Sequence, residues 1–312
     1  GRNLIVCIDG TSNQFGPNNT NIVELYSRII KDDSQLPQLT YYNSGIGTYA
    51  KPSWRSFSHL KQVIDNKIDL AIAWNFEKVL LGAYRWLSDN YDPGDKIFLF
   101  GFSRGAYQVR SLAGMISEVG LIRRGNEEQI PFAFELYAGA DALTAPFKDT
   151  FSWPNGRVHF VGAWDTVSSV GIIRGKSMPG TDTFNDYVCY FRHALALDER
   201  RVKFLPEYIR GGDTVHGGSG VESGRSRPRI KEVWFAGCHS DMNTELNNAT
   251  IPLLWMGVEA ELAGLKLTPP KVKRWVRERK TTESLSLGWW PFEILPFKRL
   301  SYKNAKGATW YS

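Results

Sequence analysis

The chain has 312 residues, of which 42% are hydrophobic, 22% are charged and 13% are aromatic, a composition that excludes a disordered or low-complexity protein. A chain of this length can bury a sizeable core, and none of its apolar runs reaches the roughly 20 residues that cross a bilayer. The formal net charge of +6 is concentrated in residues 225–231 and 271–280, and no zinc-finger, RNP or helix-turn-helix pattern accompanies it, so we expect no nucleic-acid partner. These basic stretches are typical of a solvated helix face, and attraction to anionic lipid is the alternative.

The cysteines indicate the cellular environment. Cys7, Cys189 and Cys238 lie far apart and lack the spacing of metal ligands. We therefore expect a reducing, cytoplasmic location, with no disulfide framework, no metal and no cofactor. The sequence does not indicate an oligomeric state.

Short apolar runs alternate with longer amphipathic stretches along the chain. The short runs predict β-strands at 4–9, 40–45, 96–102, 157–164 and 232–237. The longer stretches repeat apolar residues at helical spacing and predict helices at 21–30, 69–90, 106–120, 184–197 and 251–265. Such an alternation predicts parallel βαβ units, and hence a doubly wound, mostly parallel α/β sheet with helices on both faces. We expect a single domain over residues 1–312, with a Gly-rich loop at 210–225 and an aromatic, basic tail at 270–312 packed on or beside it.

The stretch KIFLFGFSRGAYQVR (96–110) contains a G-x-S-x-G pattern at residues 101–105. Chance alone can supply this pattern, but here it stands between a predicted strand and a predicted helix, as a nucleophile elbow requires. The glycines of an elbow make room for a sharp turn that lifts the serine hydroxyl above the sheet. The pattern therefore predicts Ser103 as a nucleophile, and a serine that caps the helix is the alternative interpretation.

A serine hydroxyl is a poor nucleophile, so it needs a base to take its proton and an acid to orient that base. In doubly wound sheets, reactive groups gather beyond the carboxyl ends of the strands. Asp165 directly follows the strand predicted at 157–164, and His239 follows the strand predicted at 232–237. The chain order Ser, Asp, His is that of α/β-hydrolases, which favours these two residues as acid and base.

Other residues compete for both roles. The remaining histidines are weaker candidates because they lie in a predicted strand, in a predicted helix, or where nothing fixes them: His159, His193, His59 and His216. Asp198 and Asp241 are rival candidates for the acid. Asp241, two residues past His239, is better placed to orient the backbone around that histidine.

An acyl-transfer site also needs N–H donors for the oxyanion. The backbone N–H of Arg104, directly after the nucleophile, is the first expected donor, and Gly10 or Thr11 in the loop after the first strand would supply the second. Asp9 is expected to brace this loop or the Ser103 turn, unless this segment provides only turn chemistry.

The same loop raises a rival enzyme class. Phosphatases of the haloacid-dehalogenase type place a D-x-D-G-T motif after their first strand, and its first aspartate is both the nucleophile and a magnesium ligand. This chain reads Cys7-Ile8-Asp9-Gly10-Thr11, with a cysteine at the position of that nucleophile. The sequence therefore disfavours a phosphatase.

Seven stretches occur in the order CIDGTSNQ, NNTNIVELY, YYNSGIGT, GDKIFLFGFSRGAYQVRSLAGMI, VGAWDTV, RHALALDERRVKFLPE and EVWFAGCHSD. They lie between residue 5 and about residue 242, and WWPFEILPFKRL (289–300) follows them. In this set the chain resembles an uncharacterised α/β-hydrolase domain family that includes the catalytic domains of type VI secretion phospholipase effectors, and its fungal members in particular. The resemblance implies a triad of Ser103, Asp165 and His239 that hydrolyses carboxylic esters, with phospholipids as the substrate class of the bacterial relatives. It also implies that RHALALDERR belongs to the scaffold near the site.

We therefore expect a metal-independent serine esterase or lipase that acts through an acyl-enzyme on an ester or lipid substrate. Aromatic and basic residues of the tail would suit peripheral contact with a membrane, and ordinary packing is the alternative: Trp289, Trp290, Phe292, Phe297, Lys298 and Arg299. A peptidase or thioesterase would share the same triad.

A catalytically impaired binding or interaction module is the alternative function, and one departure from the family motivates it. After His-Ser-Asp the family usually continues with several glycines, whereas this chain reads Met242-Asn243-Thr244-Glu245. The loop that carries the base is thus the feature on which activity and substrate scope depend.

Overall fold

The computed structural model describes residues 1–10, 19–45, 61–154, 156–167, 178–181, 187–201, 204, 206–209, 229–242, 250–270 and 283–285. Eight strands are assigned within these ranges: β1 (Asn3–Ile8), β2 (Gln38–Asn43), β3 (Lys96–Phe102), β4 (Leu121–Ile122), β5 (Ser152–Trp153), β6 (Val158–Trp164), β7 (Val188–Ala196) and β8 (Arg229–Phe235). Six α-helices are assigned there as well: α1 (Asn21–Arg28), α2 (Lys61–Asn90), α3 (Arg104–Val119), α4 (Ile130–Gly139), α5 (Thr144–Phe151) and α6 (Thr250–Leu262). Short 3₁₀ turns cover Glu127–Gln129 and His239–Met242.

Six of the strands form one parallel sheet in the order β2, β1, β3, β6, β7, β8, while β4 and β5 form a separate antiparallel pair. The strand order reverses between β1 and β3. In open α/β sheets such a reversal leaves a crevice beyond the carboxyl ends of the strands, which is where ligands bind. The carboxyl ends of the neighbouring strands β1 and β3 therefore lie at the expected position for a functional site.

Two hydrophobic cores cover the two faces of the sheet. In β1, Leu4, Val6 and Ile8 point to a core shared with α2 to α5, whereas Ile5 and Cys7 point to a core shared with α1 and α6. Successive side chains of a strand face opposite sides, so a strand that is buried on both faces is apolar throughout. This arrangement agrees with the doubly wound, mostly parallel α/β fold predicted from the sequence.

The prediction of a helix at 184–197 is wrong, because this segment contains β7 (Val188–Ala196), which lies between β6 and β8. Its fully buried Val188, Phe191 and Leu195 happen to be spaced as they would be on one face of a helix. Two polar residues interrupt the apolar pattern of a buried strand, and each has a partner: Arg192 pairs with Glu259, and His193 bonds to Glu232. Helices α4 and α5 and the β4–β5 pair were not predicted.

Only part of the predicted C-terminal tail can be compared with the structure. Ser284 Oγ accepts a hydrogen bond of 3.1 Å from the Arg200 N–H, and Glu283 pairs with the Arg200 guanidinium at 3.2 Å. This short piece therefore packs beside the segment after β7. The tail aromatics from Trp289 to Phe297 and the Gly-rich loop at 210–225 lie outside the described residues. Among the helices in the described ranges, none is both long enough and apolar enough to cross a membrane.

Candidate active site

Ser103 lies on the sharp turn between β3 and α3. Its φ of 56° is in the left-handed region that non-glycine residues seldom adopt. The Ser103 N–H donates to the Trp164 carbonyl at 2.9 Å, which ties the turn to the end of β6. The Ser103 side chain makes no capping hydrogen bond to α3. This turn is the strained strand-to-helix connection of a nucleophile elbow, and the helix-capping interpretation is not supported.

Two glycines allow the chain to make this turn. A Cβ on Gly101 would lie 2.4 Å from the Gly105 carbonyl oxygen. A Cβ on Gly105 would lie 2.3 Å from the Ile8 oxygen and 2.5 Å from the Asp9 oxygen. The start of α3 therefore approaches the end of β1 so closely that only glycine fits at position 105.

Gly105→Ala is expected to lower the free energy of unfolding by about 1–3 kcal/mol, because the added methyl group meets backbone that cannot move aside. Gly139→Ala is the matched control: Gly139 ends α4 and has open space around its Cα, so that variant should be neutral or gain up to about 1 kcal/mol. Urea unfolding of both variants measures the difference. Equal stabilities of the two variants would show that the close approach of α3 to β1 is not rigid.

His239 lies beside the Ser103 hydroxyl. It follows β8 and begins the 3₁₀ turn, and its Nε2 is 2.9 Å from Ser103 Oγ. The imidazole is buried between two aromatic rings, with centroid distances of 4.8 Å to Phe102 and 5.0 Å to Phe204. The His239 N–H donates to Glu199 Oε2 at 3.0 Å. Ring packing and the backbone bond together hold the histidine against the Ser103 hydroxyl.

Asp165 lies on the other side of the imidazole. Its Oδ2 is 2.5 Å from His239 Nδ1, and its Oδ1 accepts from the Ala196 N–H at 3.0 Å. The carboxylate is fully buried, and the residue has a φ of 42°, again in the left-handed region. A carboxylate can only accept from Nδ1, so the proton is placed there and the Nε2 lone pair faces Ser103. The three residues predicted from strand ends thus form one continuous chain of hydrogen bonds.

The rival carboxylates brace the loop that carries His239. Asp198 Oδ2 accepts from the Gly237 N–H at 2.7 Å, and Asp241 Oδ2 accepts from the Cys238 N–H at 2.9 Å. Asp241 therefore bonds to backbone next to His239, as the sequence suggested. Of the three candidate acids, Asp165 is the one in contact with the histidine ring.

The loop after β1 is only partly described. Asp9 is fully buried, and its carboxylate accepts from the Gly10 N–H at 2.7 Å, from the Thr20 hydroxyl at 2.6 Å and from the Tyr42 hydroxyl at 3.1 Å. Burial and the neighbouring Asp9 carboxylate raise the pKa of Tyr42, so this phenol remains a donor. Asp9 thus braces the loop, and the Gly10 N–H is already engaged rather than open to a substrate oxygen.

Two expected oxyanion donors remain predictions. The N–H of Arg104 is among the first N–H groups of α3, which have no acceptor within a helix. Thr11 lies outside the described residues. So do the rest of 11–18 and residues 168–177 and 243–249.

The structure adds groups that the sequence reasoning missed. Glu199 holds the His239 N–H and pairs with Arg201 at 2.9 Å, and the Arg201 guanidinium lies 3.9 Å from the centre of the Phe204 ring. Burial acts to raise the pKa of Glu199, but the hydrogen bonds from Arg201 and His239 outweigh it and lower that pKa. The Glu199 carboxylate is therefore kept ionised beside His239. Glu199 lies in the segment RHALALDERR, which the family resemblance places near the site. This was the sequence feature that could have indicated its role.

His193 is fully buried in β7, and burial lowers its pKa although Glu232 opposes that effect. The unfolded chain, with an ordinary imidazole pKa of about 6.5, binds a proton that the native His193 resists. His193 therefore contributes stability that is fully present above pH 6.5 and is lost as the pH falls through that value toward the lower native pKa.

Between pH 7 and pH 5 the free energy of unfolding is expected to fall, with His193 contributing up to about 1.4 kcal/mol per pH unit. His193→Gln should remove this contribution and give a shallower dependence. Denaturant unfolding of both proteins across this pH range measures the slopes, and identical slopes would contradict the assignment.

The sheet is parallel and doubly wound, and a serine on a strained turn after β3 is hydrogen-bonded to a histidine, which in turn bonds to an aspartate. These features define an α/β-hydrolase-like protein. The chain belongs to the family described as "T6SS, Phospholipase effector Tle1-like, catalytic domain", whose model matches residues 2–259. Membership of a family of phospholipase catalytic domains supports a hydrolase function in general.

Several proteins are similar to this chain. The uncharacterized protein YEL023C of Saccharomyces cerevisiae is 38% identical over 224 residues, which cover 65% of this chain and 32% of that protein. The crystal structure of an uncharacterized protein from Pseudomonas aeruginosa is similar as well, with 19% sequence identity and a TM-score of 0.46. The matched region covers 86% of this chain and 47% of that chain. A structure of the Tle1 effector bound to the VgrG spike of the type 6 secretion system has 20% sequence identity and a TM-score of 0.39. The matched region covers 77% of this chain and 50% of that chain. The chain thus spans about a third of the yeast relative and about half of the two solved chains.

Proposed function

We propose that this protein is a serine hydrolase that cleaves the acyl esters of lipids, with phospholipids as the favoured class. The observation that carries the proposal is the hydrogen-bond chain from Ser103 Oγ through His239 to Asp165, at the edge of the sheet where ligands bind. The family to which the chain belongs supports the lipid substrate class, because its description names a phospholipase effector.

In the proposed reaction, Ser103 Oγ attacks the ester carbonyl while His239 Nε2 takes the hydroxyl proton. The resulting imidazolium is stabilised by Asp165, whose carboxylate is held by the Ala196 N–H at 3.0 Å. His239 then returns the proton to the leaving alcohol, and an acyl-enzyme remains on Ser103. Deacylation follows the same course: His239 removes a proton from water, and the water oxygen attacks the acyl carbonyl. The bond to Ser103 Oγ then breaks, His239 returns the proton to that oxygen, and a fatty acid leaves.

The negative charge on the carbonyl oxygen must be stabilised during both steps. We assign this role to the N–H of Arg104, at the start of α3, where the helix dipole also favours negative charge. Thr11 is the proposed second donor. The Gly10 N–H is the weaker choice because Asp9 Oδ1 already accepts it at 2.7 Å.

The substrate of the proposed enzyme has an apolar acyl group beside the scissile bond. Phe102 and Phe204 flank the imidazole of the buried His239, which gives the base apolar surroundings. Peripheral contact with a lipid surface and a cytoplasmic location are further parts of the proposal. The activity and partners of the full-length relatives are not carried over, since this chain matches only part of them.

The alternative of an impaired binding module rested on the residues after Asp241, and the described part of that loop does not favour it. Met242 is fully buried in the core beside α1 and α6, and its carbonyl oxygen accepts from the Asn21 side chain at 2.7 Å. Methionine thus has a packing role at this position. The adjacent His239 remains within hydrogen-bond distance of Ser103 and Asp165.

A combined labelling and product experiment tests the proposal. A fluorophosphonate probe should modify the native protein at a single site, and peptide mapping should locate the adduct on Ser103. Incubation with vesicles of a phosphatidylcholine that carries two different acyl chains should release a fatty acid and a lysolipid, identified by mass spectrometry. Release that continues after complete labelling, or labelling at another residue, would refute Ser103 as the nucleophile.

A further inference from the structure

We propose that His193 is a positioning residue for the reaction, which holds the Asp165 carboxylate in place by accepting the Thr166 N–H. The inference rests on the proposed function, because it assigns a role in orienting the acid of that same site. It concerns a buried histidine that does not contact Ser103 or the substrate position.

The backbone at Asp165 needs external support. Asp165 has a φ of 42°, a conformation that costs an L-residue about 1–2 kcal/mol and persists only where its neighbours enforce it. Its own N–H donates to the Ala194 carbonyl of β7 at 2.8 Å. The next peptide sets ψ of Asp165, and holding its N–H, which belongs to Thr166, keeps the residue in this backbone conformation.

His193 supplies the acceptor for that N–H. The Thr166 N–H donates to His193 Nε2 at 3.1 Å, and the Thr166 hydroxyl lies 3.0 Å from the same nitrogen. Accepting from a backbone N–H requires a lone pair on Nε2, so the ring proton must be on Nδ1. The imidazole is therefore neutral and of one tautomer while it holds Thr166.

Glu232 of β8 selects this tautomer. Its Oε1 accepts from His193 Nδ1 at 2.9 Å and from the Ile209 N–H at 3.2 Å. A carboxylate in this position stabilises a proton on Nδ1 and so leaves Nε2 as the acceptor. The His193–Glu232 pair thus has the same connectivity as the His239–Asp165 pair. Its Nε2 accepts from a backbone N–H, however, whereas Nε2 of His239 faces a hydroxyl.

A second set of contacts connects Thr166 to α3. The Thr166 carbonyl accepts from the Glu207 N–H at 2.9 Å, and the Glu207 carbonyl accepts from the Arg110 guanidinium at 2.6 Å. Arg110 is fully buried in α3, the helix that begins directly after Ser103. Thr166, the residue that follows the acid, is therefore held at its N–H by His193 of β7 and, through Glu207, at its carbonyl by Arg110 of α3.

Two amide substitutions separate the two hydrogen bonds of His193. A glutamine amide oxygen reaches the position of Nε2, so His193→Gln keeps an acceptor for Thr166. An asparagine amide reaches only the position of Nδ1, so His193→Asn keeps a donor for Glu232 and leaves the Thr166 N–H without a partner. A misplacement of about 1 Å at a reacting group can cost about 100-fold in rate, so we expect kcat to fall about 10- to 100-fold in His193→Asn and less than about 5-fold in His193→Gln.

The matched control is His159→Asn. His159 also lies in a central strand and bonds to backbone, with Nε2 2.8 Å from the Ala263 carbonyl. It is near the start of β6, whereas Asp165 follows the end, so the two are separated by about 20 Å of strand. His159→Asn should lower the Tm and leave kcat per active site unchanged.

The measurements are kcat and KM for a short acyl ester, normalised to the active sites titrated by fluorophosphonate. KM should change less than about 3-fold in all three variants, since none of the residues is placed at the substrate. The proposal is overturned if the two His193 variants lose kcat equally, or if the loss disappears on normalisation, because either result indicates a general role in stability.

A spectroscopic readout keeps this inference separate from the proposed function. The proton between His239 Nδ1 and Asp165 Oδ2 should give a low-field NMR resonance that is absent in His239→Gln. This resonance should be retained in His193→Gln and be shifted or broadened in His193→Asn, whether or not the protein turns over an ester. An inactive wild type would refute the proposed function alone, whereas an unchanged resonance in His193→Asn would refute the positioning role.

Discussion

Ser103→Ala should abolish ester hydrolysis, with kcat reduced by about 10⁴-fold or more, while the protein remains folded. The substitution removes the hydroxyl that lies 2.9 Å from His239 Nε2 and leaves nothing on that residue to form an acyl-enzyme. Alanine adopts a φ of 56° no more easily than serine does, so the strain of the turn is similar in both proteins. Stopped assays with p-nitrophenyl esters of graded chain length measure the loss.

Ser111→Ala is the matched control for this experiment. Ser111 is also buried in α3, but its hydroxyl donates to the Tyr107 carbonyl one turn earlier, at 2.9 Å. Its loss should change kcat by less than about 3-fold, since it removes a hydroxyl that has no contact with the base. If Ser103→Ala retained the activity of this control at every chain length, the proposed nucleophile would be wrong.

Asp165→Asn should lower kcat by about 10⁴-fold with little change in fold. The amide has the shape of the carboxylate, and its oxygen can still accept the Ala196 N–H at the 3.0 Å contact. Its NH₂ group then faces His239 Nδ1, which places the imidazole proton on Nε2, so that nitrogen can no longer accept from Ser103. The negative charge that stabilises the imidazolium is lost as well.

Asp198→Asn tests the acid assignment directly, because Asp198 was the rival candidate in the sequence. Its carboxylate accepts the Gly237 N–H at 2.7 Å, a contact that an amide oxygen can keep, so we expect a loss in kcat of less than about 10-fold. Circular dichroism and active-site titration on both variants exclude unfolding as the cause. A larger loss in Asp198→Asn than in Asp165→Asn would transfer the role of the acid to Asp198.

The elbow could be predicted from the sequence because its determinants are local. The apolar strand before Ser103 is buried on both faces of the sheet. Positions 101 and 105 need glycine because a Cβ at either would lie only 2.3–2.5 Å from backbone oxygen atoms. The order of strands and helices likewise predicted the doubly wound fold. Asp165 and His239 were proposed as its partners by one further rule, that functional groups follow strand ends.

The error at β7 has a physical explanation in the same terms. A central strand is apolar on both faces, so its pattern lacks the alternation of an edge strand and can match helical spacing by accident. Arg192 and His193 are polar, and a buried strand tolerates such residues only when they have partners. Those partners, Glu259 and Glu232, come from α6 and β8 and are distant in sequence.

By itself the sequence determined the chemistry available at this site: a serine on a glycine-flanked turn, and aspartate and histidine residues after later strands. Only the tertiary structure decided which aspartate meets His239, and that Asp198, Asp241 and Glu199 hold its loop. The physical reason is that a strand and a tight turn follow from short-range sterics and burial. A hydrogen bond between residues 74 positions apart depends instead on strand order and register, which many distant contacts determine together.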